Sequence, residues 1–144
     1  MKIFTIGFTQ KSAEQFFNAL RESNVKRIVD VRVNNTSQLS GFARSADLKF
    51  FTETLIGASY IHLLALAPTR ALLREYRDGS LSWDEYSREY LNLLETRPEA
   101  ERALTSLVEG DCLLCSEAVA DYCHRRLLVG YLMQIRPDIE VLHL

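Results

Sequence analysis

The stretch RIVDVRV, residues 27–33, decides the fold, because it is apolar on both faces apart from Asp30 and Arg32. Strands with two apolar faces are typical of parallel sheets that helices cover on both sides. Four further stretches have the length and apolar character of strands: KIFTIG (2–7), SYIHLLAL (59–66), DCLLC (111–115) and IEVLHL (139–144). Segments with helical spacing separate them, as parallel neighbours require. The sequence therefore predicts an α/β fold: a single domain over residues 1–144, with a mostly parallel sheet of about five strands and helices on both faces.

Capping signals place the helices between these strands. Two pairs have the spacing of a capping box: Ser12 with Gln15, and Ser82 with Glu85. A last helix is predicted over residues 122–134, and Asp121 is the side chain best placed to be its N-cap. These signals predict where three of the crossover helices begin.

Composition narrows the possible classes of protein. The chain has 17 basic and 19 acidic side chains, so its net charge of −2 offers polyanions no overall attraction. The first ten residues lack the long apolar region of a signal peptide, and no stretch reaches membrane-spanning length. Three cysteines, all within residues 112–123, do not form a disulfide framework. We therefore expect a cytoplasmic protein with no membrane partner, whose thiols are packed, reactive or metal-bound.

Polar side chains collect at the ends of the predicted strands. They are Asp30, Arg32, His62, Cys115 and Glu117. In open parallel sheets, ligands bind just beyond the carboxyl ends of the strands. The polar loop over residues 34–45 follows one of these ends and is long enough to cover a site. The sequence therefore predicts a site at this rim of the sheet.

Four residues are the catalytic candidates at this rim: Cys115, Glu117, Cys123 and His124. Cys115 ends a strand, and Cys123 lies in the first turn of the last helix, where the positive end of the helix dipole favours a thiolate. Glu117 and His124 have the chemistry of a general acid and base. The sequence predicts a nucleophilic thiol but leaves open whether it is Cys115 or Cys123. Cys112, inside the strand, is interpreted as a core residue.

Three charged residues are the candidates for binding an anion: Asp30, Arg32 and Arg125. An arginine at a strand end is suited to a bidentate grip on a phosphate or carboxylate. Asp30 is equally well explained as the ion-pair partner of Arg32. The expected partner is an anionic small molecule or a nucleotide.

Zinc binding is an alternative role for the same side chains. Cys115, Cys123 and His124, together with Glu117 or His62, are ligands that zinc accepts. The pattern C-x-E-x5-C-H matches no standard structural zinc site, and adjacent residues on a helix point in different directions. No metal ligand is therefore assigned, and zinc remains an alternative.

A nucleic-acid-binding or DNA-metabolism module is a further alternative, because arginines and aromatic residues alternate in the middle of the chain. They are Arg70, Arg74, Tyr76, Arg77, Trp83, Tyr86, Arg88 and Tyr90. Stacking and phosphate contacts of this kind bind single strands. Neighbouring acidic residues dilute the charge, so a solvated amphipathic pair of helices is the favoured interpretation.

Several motifs together resemble the domain-of-unknown-function 488 family over nearly the whole chain. They are TIG (5–7), VDVR (29–32), SGFA (40–43), YIHL (60–63) and LLCSE…CHR (113–125). Phe8 and Thr9 stand where that family usually carries His and Ser. The resemblance implies an α/β single domain and no settled activity. The layout is also distantly similar to rhodanese and cysteine-phosphatase domains, which hold an anion around a thiolate, and this similarity implies such a role for Cys115.

Overall fold

The computed structural model describes residues 1–36, 41–117 and 121–144. Its five strands form one sheet in which every pairing is parallel. The strands are β1 (Lys2–Gly7), β2 (Arg27–Asp30), β3 (Ser59–His62), β4 (Asp111–Cys115) and β5 (Glu140–His143), in the spatial order β3-β2-β4-β1-β5. This arrangement confirms the predicted fold class.

Six α-helices lie within the described residues. They are α1 (Ala13–Glu22), α2 (Ser45–Phe51), α3 (Arg70–Arg77), α4 (Trp83–Thr96), α5 (Pro98–Thr105) and α6 (His124–Ile135). Both predicted capping boxes are present, at the starts of α1 and α4. A π-helical segment, Thr52–Ile56, continues α2. None of the helices in the described ranges is long and apolar enough to cross a membrane.

Alternate strand residues feed two separate cores, one on each face of the sheet. Phe4 and Leu114 pack with side chains of α1 and α2, whereas Ile3 and Leu113 pack with side chains of α4, α5 and α6. The adjacent strands β1 and β4 are thus followed by helices on opposite faces. A crevice opens between two such strands at their carboxyl ends, because the connections diverge there. The fold itself therefore places a site where Gly7 and Cys115 stand side by side in the register.

The third strand is shorter than the apolar stretch 59–66 predicted. It ends at His62, and Leu64–Leu66 form a 3₁₀ turn. Side chains from α4 and its C-cap hold this turn: the Tyr90 hydroxyl donates to the Leu66 carbonyl, and Arg97 donates to the carbonyls of Ala65 and Ala67. Backbone groups that side chains satisfy have no need of a strand partner, so the apolar stretch leaves the sheet.

The start of the last helix also differs from its prediction. Tyr122 has φ 51, which lies outside the helical region, and α6 begins at His124 with Cys123 as its N-cap residue. The prediction that Asp121 is the cap was wrong, because its carboxylate pairs with Arg126 instead.

Gly7 allows the end of β1 to approach the segment after β4 closely. A Cβ atom at this position would lie 1.5 Å from the carbonyl oxygen of Glu117. We expect Gly7→Ala to destabilise the protein by about 3 kcal/mol or more, because backbone on both sides must shift. Gly130→Ala, inside α6 with nothing within 4 Å, is the matched control and should stabilise the protein by about 0.5–1 kcal/mol. Urea unfolding measures both, and equal stability of the two variants would contradict the prediction.

Candidate functional site

A cavity of about 330 Å³ occupies the crevice beyond the carboxyl ends of β1, β2 and β4. It is lined by five of the residues predicted from the sequence: Arg32, Cys115, Glu117, Cys123 and His124. The strand ends supply Arg32 and Cys115, and the start of α6 supplies Cys123 and His124. Side chains separated by more than 90 residues in the chain thus meet in one cavity. Asp30 and Arg125 do not line it, and the structure places them behind its wall.

Two thiols lie in direct contact at this cavity. The sulfur atoms of Cys115 and Cys123 are 2.8 Å apart, and both side chains are almost completely buried. Burial raises the pKa of Cys115 well above its ordinary value. The hydrogen bond from Cys115 is the main reason that the pKa of Cys123 falls to about 4, and His124 and the backbone amide of Arg125 lower it further against the effect of burial. These effects favour the thiolate form at Cys123 and the protonated form at Cys115.

His124 is held in a defined orientation beside this thiolate. Its Nε2 lies 2.9 Å from the carbonyl oxygen of Val31, which can only accept a hydrogen bond, so Nε2 carries a proton. Tyr90 packs edge-on against the imidazole ring, with the ring centres 5.5 Å apart. The other ring nitrogen is left for Cys123. This arrangement suits a histidine that stabilises a thiolate and exchanges a proton near it.

Asp30 fixes the guanidinium of Arg32. Its carboxylate is fully buried and accepts hydrogen bonds from Nε and Nη2 of Arg32, at 2.8 and 2.7 Å. The Tyr60 hydroxyl and the Asn35 amide also donate to it, at 2.6 and 3.3 Å. Burial alone would raise the pKa of Asp30, but the hydrogen bonds from Arg32 and Tyr60 outweigh it and lower that pKa. Asp30 therefore positions a residue that lines the cavity without facing the cavity itself.

One edge of the Arg32 guanidinium is left unsatisfied. Its Nη1 is buried and has no hydrogen-bond partner within residues 1–36, 41–117 and 121–144, and the group lies 5.3 Å from the centre of the Phe8 ring. A buried donor without a partner is costly, so it is expected to have one in the working protein. Phe8 replaces the histidine that the sequence resemblance leads one to expect, and its ring contacts the cation instead.

Arg125 is also buried and unsatisfied, but at a different place. It is only 1% exposed, its Nε and Nη1 have no partner in the part of the chain that the structure describes, and Nη1 lies 3.0 Å from the position of a Cβ on Gly7. Its charge opposes the effect of burial on the pKa of Cys115 and, together with burial, lowers the pKa of Lys11. Arg125 thus supplies positive potential behind the thiols.

Two other predictions for this rim can be compared with the structure. His62 lies outside the cavity, and its Nε2 bonds the carbonyl oxygen of Arg32 at 2.7 Å. Across residues 1–36, 41–117 and 121–144, no three His, Cys, Asp or Glu side chains come close enough together to hold a metal ion. The loop predicted over residues 34–45 falls partly outside the described residues, so its role as a cover stays a prediction.

Sequence reasoning missed the aromatic wall of the cavity. Tyr76 of α3, Tyr86 of α4 and Tyr122 line it, and the rings of Tyr76 and Tyr86 stack with their centres 4.5 Å apart. The two helices are amphipathic and charged outside, as predicted, but their apolar side forms this wall. The spacing of Trp83, Tyr86 and Tyr90 on one helical face was the available signal.

The contact between the two thiols leads to a prediction about oxidation. Mild treatment with glutathione disulfide should join Cys115 to Cys123, because the thiolate is already beside its partner. Thiol titration in denaturant should then find Cys112 alone of the three free cysteines. Cys123→Ser is the control, and its remaining two cysteines should form no internal bond under the same treatment. Retention of all three thiols in the native protein would contradict the prediction.

Comparison with protein-family models identifies the family of the chain. The family model described as Domain of unknown function DUF488 matches residues 12–132. Neither a curated protein nor a solved structure matches the chain significantly, so the distant similarity to rhodanese-like domains stays a prediction. The matched range includes β2, β4 and the start of α6, and therefore most of the cavity described above. The chain belongs to the family described as Domain of unknown function DUF488.

Proposed function

We propose that this cavity is the active site of an enzyme that carries out thiol chemistry on a small anionic molecule, with Cys123 as the nucleophile. The observation that carries the proposal is the 2.8 Å contact between Cys115 and Cys123. It gives one sulfur a pKa of about 4 inside a cavity, and a thiolate is the reactive form of cysteine. Buried structural cysteines have the opposite shift, as Cys112 does in the core.

Arg32 is the group that would bind the anion. Its Nη1 is buried and finds no partner among the described side chains and backbone groups, while Asp30 holds the other edge of the guanidinium in place. A phosphate or carboxylate oxygen would satisfy that free donor with a charge-assisted hydrogen bond. Because Arg32 lines the same cavity as Cys123, the bound anion would lie within the reach of the thiolate.

His124 and Glu117 are the groups that would move protons. Cys123 Sγ would bond to the electrophilic atom of the substrate as the bond to the leaving group breaks. The sulfur then loses its negative charge, so the proton that His124 held toward it can pass to the leaving group. Water would cleave the new sulfur bond and give up a proton to His124, which restores the starting state. Glu117, exposed at the cavity, would orient that water.

The proposed chemistry needs reduced cysteines. All three are free, and two of them lie in contact, so an oxidising compartment would join this pair. A reducing compartment such as the cytoplasm is therefore the proposed location.

Alkylation of Cys123 by iodoacetamide tests the proposed nucleophile. Its rate should change less than about twofold between about pH 5.5 and pH 8, because the thiolate is already fully formed above its pKa of about 4. The rate for an ordinary thiol rises about tenfold per pH unit in this range. Cys115→Ala should raise the pKa of Cys123 and slow labelling at the acidic end, because it removes the main hydrogen bond. Cys123→Ser should not be labelled in its native state.

Inorganic phosphate tests the proposed anion site in the same assay. It should slow labelling of the wild-type protein and should fail to protect Arg32→Gln. Asn18→Gln, on the opposite face of the sheet, is a matched surface control and should be protected like the wild type. A wild-type rate that follows pH as a free thiol does, or phosphate that protects Arg32→Gln equally, would refute the assignment of these roles.

A further inference from the structure

We propose that the substrate carries a planar ring beside its anionic group, as a nucleoside monophosphate does. This inference rests on the proposed function, because it names the class of molecule that the same cavity accepts. Three features support it: the stacked rings of the wall, the exposed ring at the cavity mouth, and the arrangement of charge around them.

Tyr76, Tyr86 and Tyr122 line the cavity, and Trp83 packs against all three without lining it itself. Tyr86 is only 1% exposed, so the rings that a ligand can contact are those of Tyr76 and Tyr122. Trp83 and Tyr86 stack with ring centres 5.8 Å apart and planes 28° apart, and Tyr76 continues the stack at 4.5 Å from Tyr86. Tyr122 meets the edge of Trp83, with ring centres 5.4 Å apart. Planar rings of a ligand gain stacking energy on such a surface whatever their exact identity. Sugar phosphates without a base would leave this surface unused.

Tyr122 is the ring that the fold leaves open to a ligand. It lines the cavity, yet 69% of it is exposed. Its backbone is left-handed, a conformation that costs a non-glycine residue free energy and that occurs frequently at ligand sites. Tyr122 directly precedes Cys123, the proposed nucleophile, in the chain. Phe50, which is 61% exposed, lies on α2 and lines no part of this cavity.

The charged side chains of the cavity match a ligand with a phosphate group at one end and hydrogen-bond donors at the other. The guanidinium of Arg32 lies beside Phe8, and its free Nη1 can bind a phosphate oxygen. The carboxylate of Glu117 lies close enough to Tyr76 for its charge to act on that hydroxyl. A carboxylate beside an aromatic surface accepts hydrogen bonds from the amino group or ring N–H of a base. The cavity volume is within the range of small-molecule sites.

Calorimetry with three ligands of increasing size tests the inference. They are inorganic phosphate, ribose 5-phosphate and adenosine 5′-monophosphate. The nucleotide should bind about tenfold or more tightly than ribose 5-phosphate, because only the nucleotide has a ring to stack. Tyr122→Ala should remove most of that difference and leave the affinity for inorganic phosphate unchanged. Phe50→Ala is the matched control for loss of an exposed ring and should bind all three ligands like the wild type.

Fluorescence locates the binding. Trp83 is the only tryptophan of the chain and contacts Tyr122, so its emission should change with the nucleotide and stay unchanged with ribose 5-phosphate. Equal affinities for the nucleotide and ribose 5-phosphate would overturn the inference, and so would a Tyr122→Ala variant that keeps the full preference. Tighter binding of a 5′-phosphorylated tetranucleotide than of the mononucleotide would assign the cavity to nucleic-acid ends instead.

These results are separable from those on the proposed function. Cys123→Ser should keep its preference for the nucleotide, because it removes the nucleophile and not the ring wall. If phosphate protects Cys123 from alkylation but no ligand preference exists, the thiol chemistry stands and the ring assignment falls. If the nucleotide is preferred but Cys123 behaves as an ordinary thiol, the cavity binds the ligand without thiol chemistry.

Discussion

The site depends on one buried carboxylate, Asp30, which has to be neutralised where the central strands end. Removing an ionised group from water costs several kcal/mol, and only a partner with good geometry offsets that cost. Asp30 is neutralised by the guanidinium of Arg32 and hydrogen-bonded by the Tyr60 hydroxyl and the Asn35 amide, which come from β3 and from the segment after β2. Because these donors must converge on two oxygen atoms, β2, β3 and the segment that follows β2 are fixed relative to one another. The same requirement holds Arg32 rigidly at the cavity.

Burial also disfavours charge on the two thiols, and the hydrogen bond between them shares one proton unequally. A pair of buried thiols has no opposite charge of its own, and the hydrogen bond between the two sulfur atoms lowers the pKa of Cys123 while burial raises that of Cys115. This division needs Cys115 on β4 and Cys123 at the N-cap of α6 to lie in contact. The absence of a side chain at Gly7 makes room for the segment after β4, since the carbonyl of Glu117 lies directly against the end of β1. The lowered pKa of Cys123 thus depends on a contact across the crossover.

The sequence predicted those parts of the structure that depend on local patterns and on the fact that parallel strands end at the same edge of a sheet. The strands, the capping boxes and the convergence of Cys115, Glu117, Cys123, His124 and Arg32 follow from periodicity and from strand ends meeting at one edge. It could not distinguish Cys115 from Cys123, because the difference arises from a contact across a loop. It placed Asp30 and Arg125 with the anion site, since burial behind a wall leaves no local signal. The aromatic wall was missed because the orientation of α3 and α4 depends on tertiary packing.

Arg125 links the cost of burying a charge to the ionisation of the thiols. A guanidinium that is almost completely buried, with two N–H donors that have no partner among the described residues, is unfavourable unless a negative charge lies nearby. Its charge opposes the rise in the pKa of Cys115 and Cys112, so it favours negative charge on both sulfur atoms. A dithiol that has lost one proton supplies such a charge, and a disulfide does not. The negative charge of the proposed thiolate would therefore stabilise the buried guanidinium, and the guanidinium would stabilise that charge.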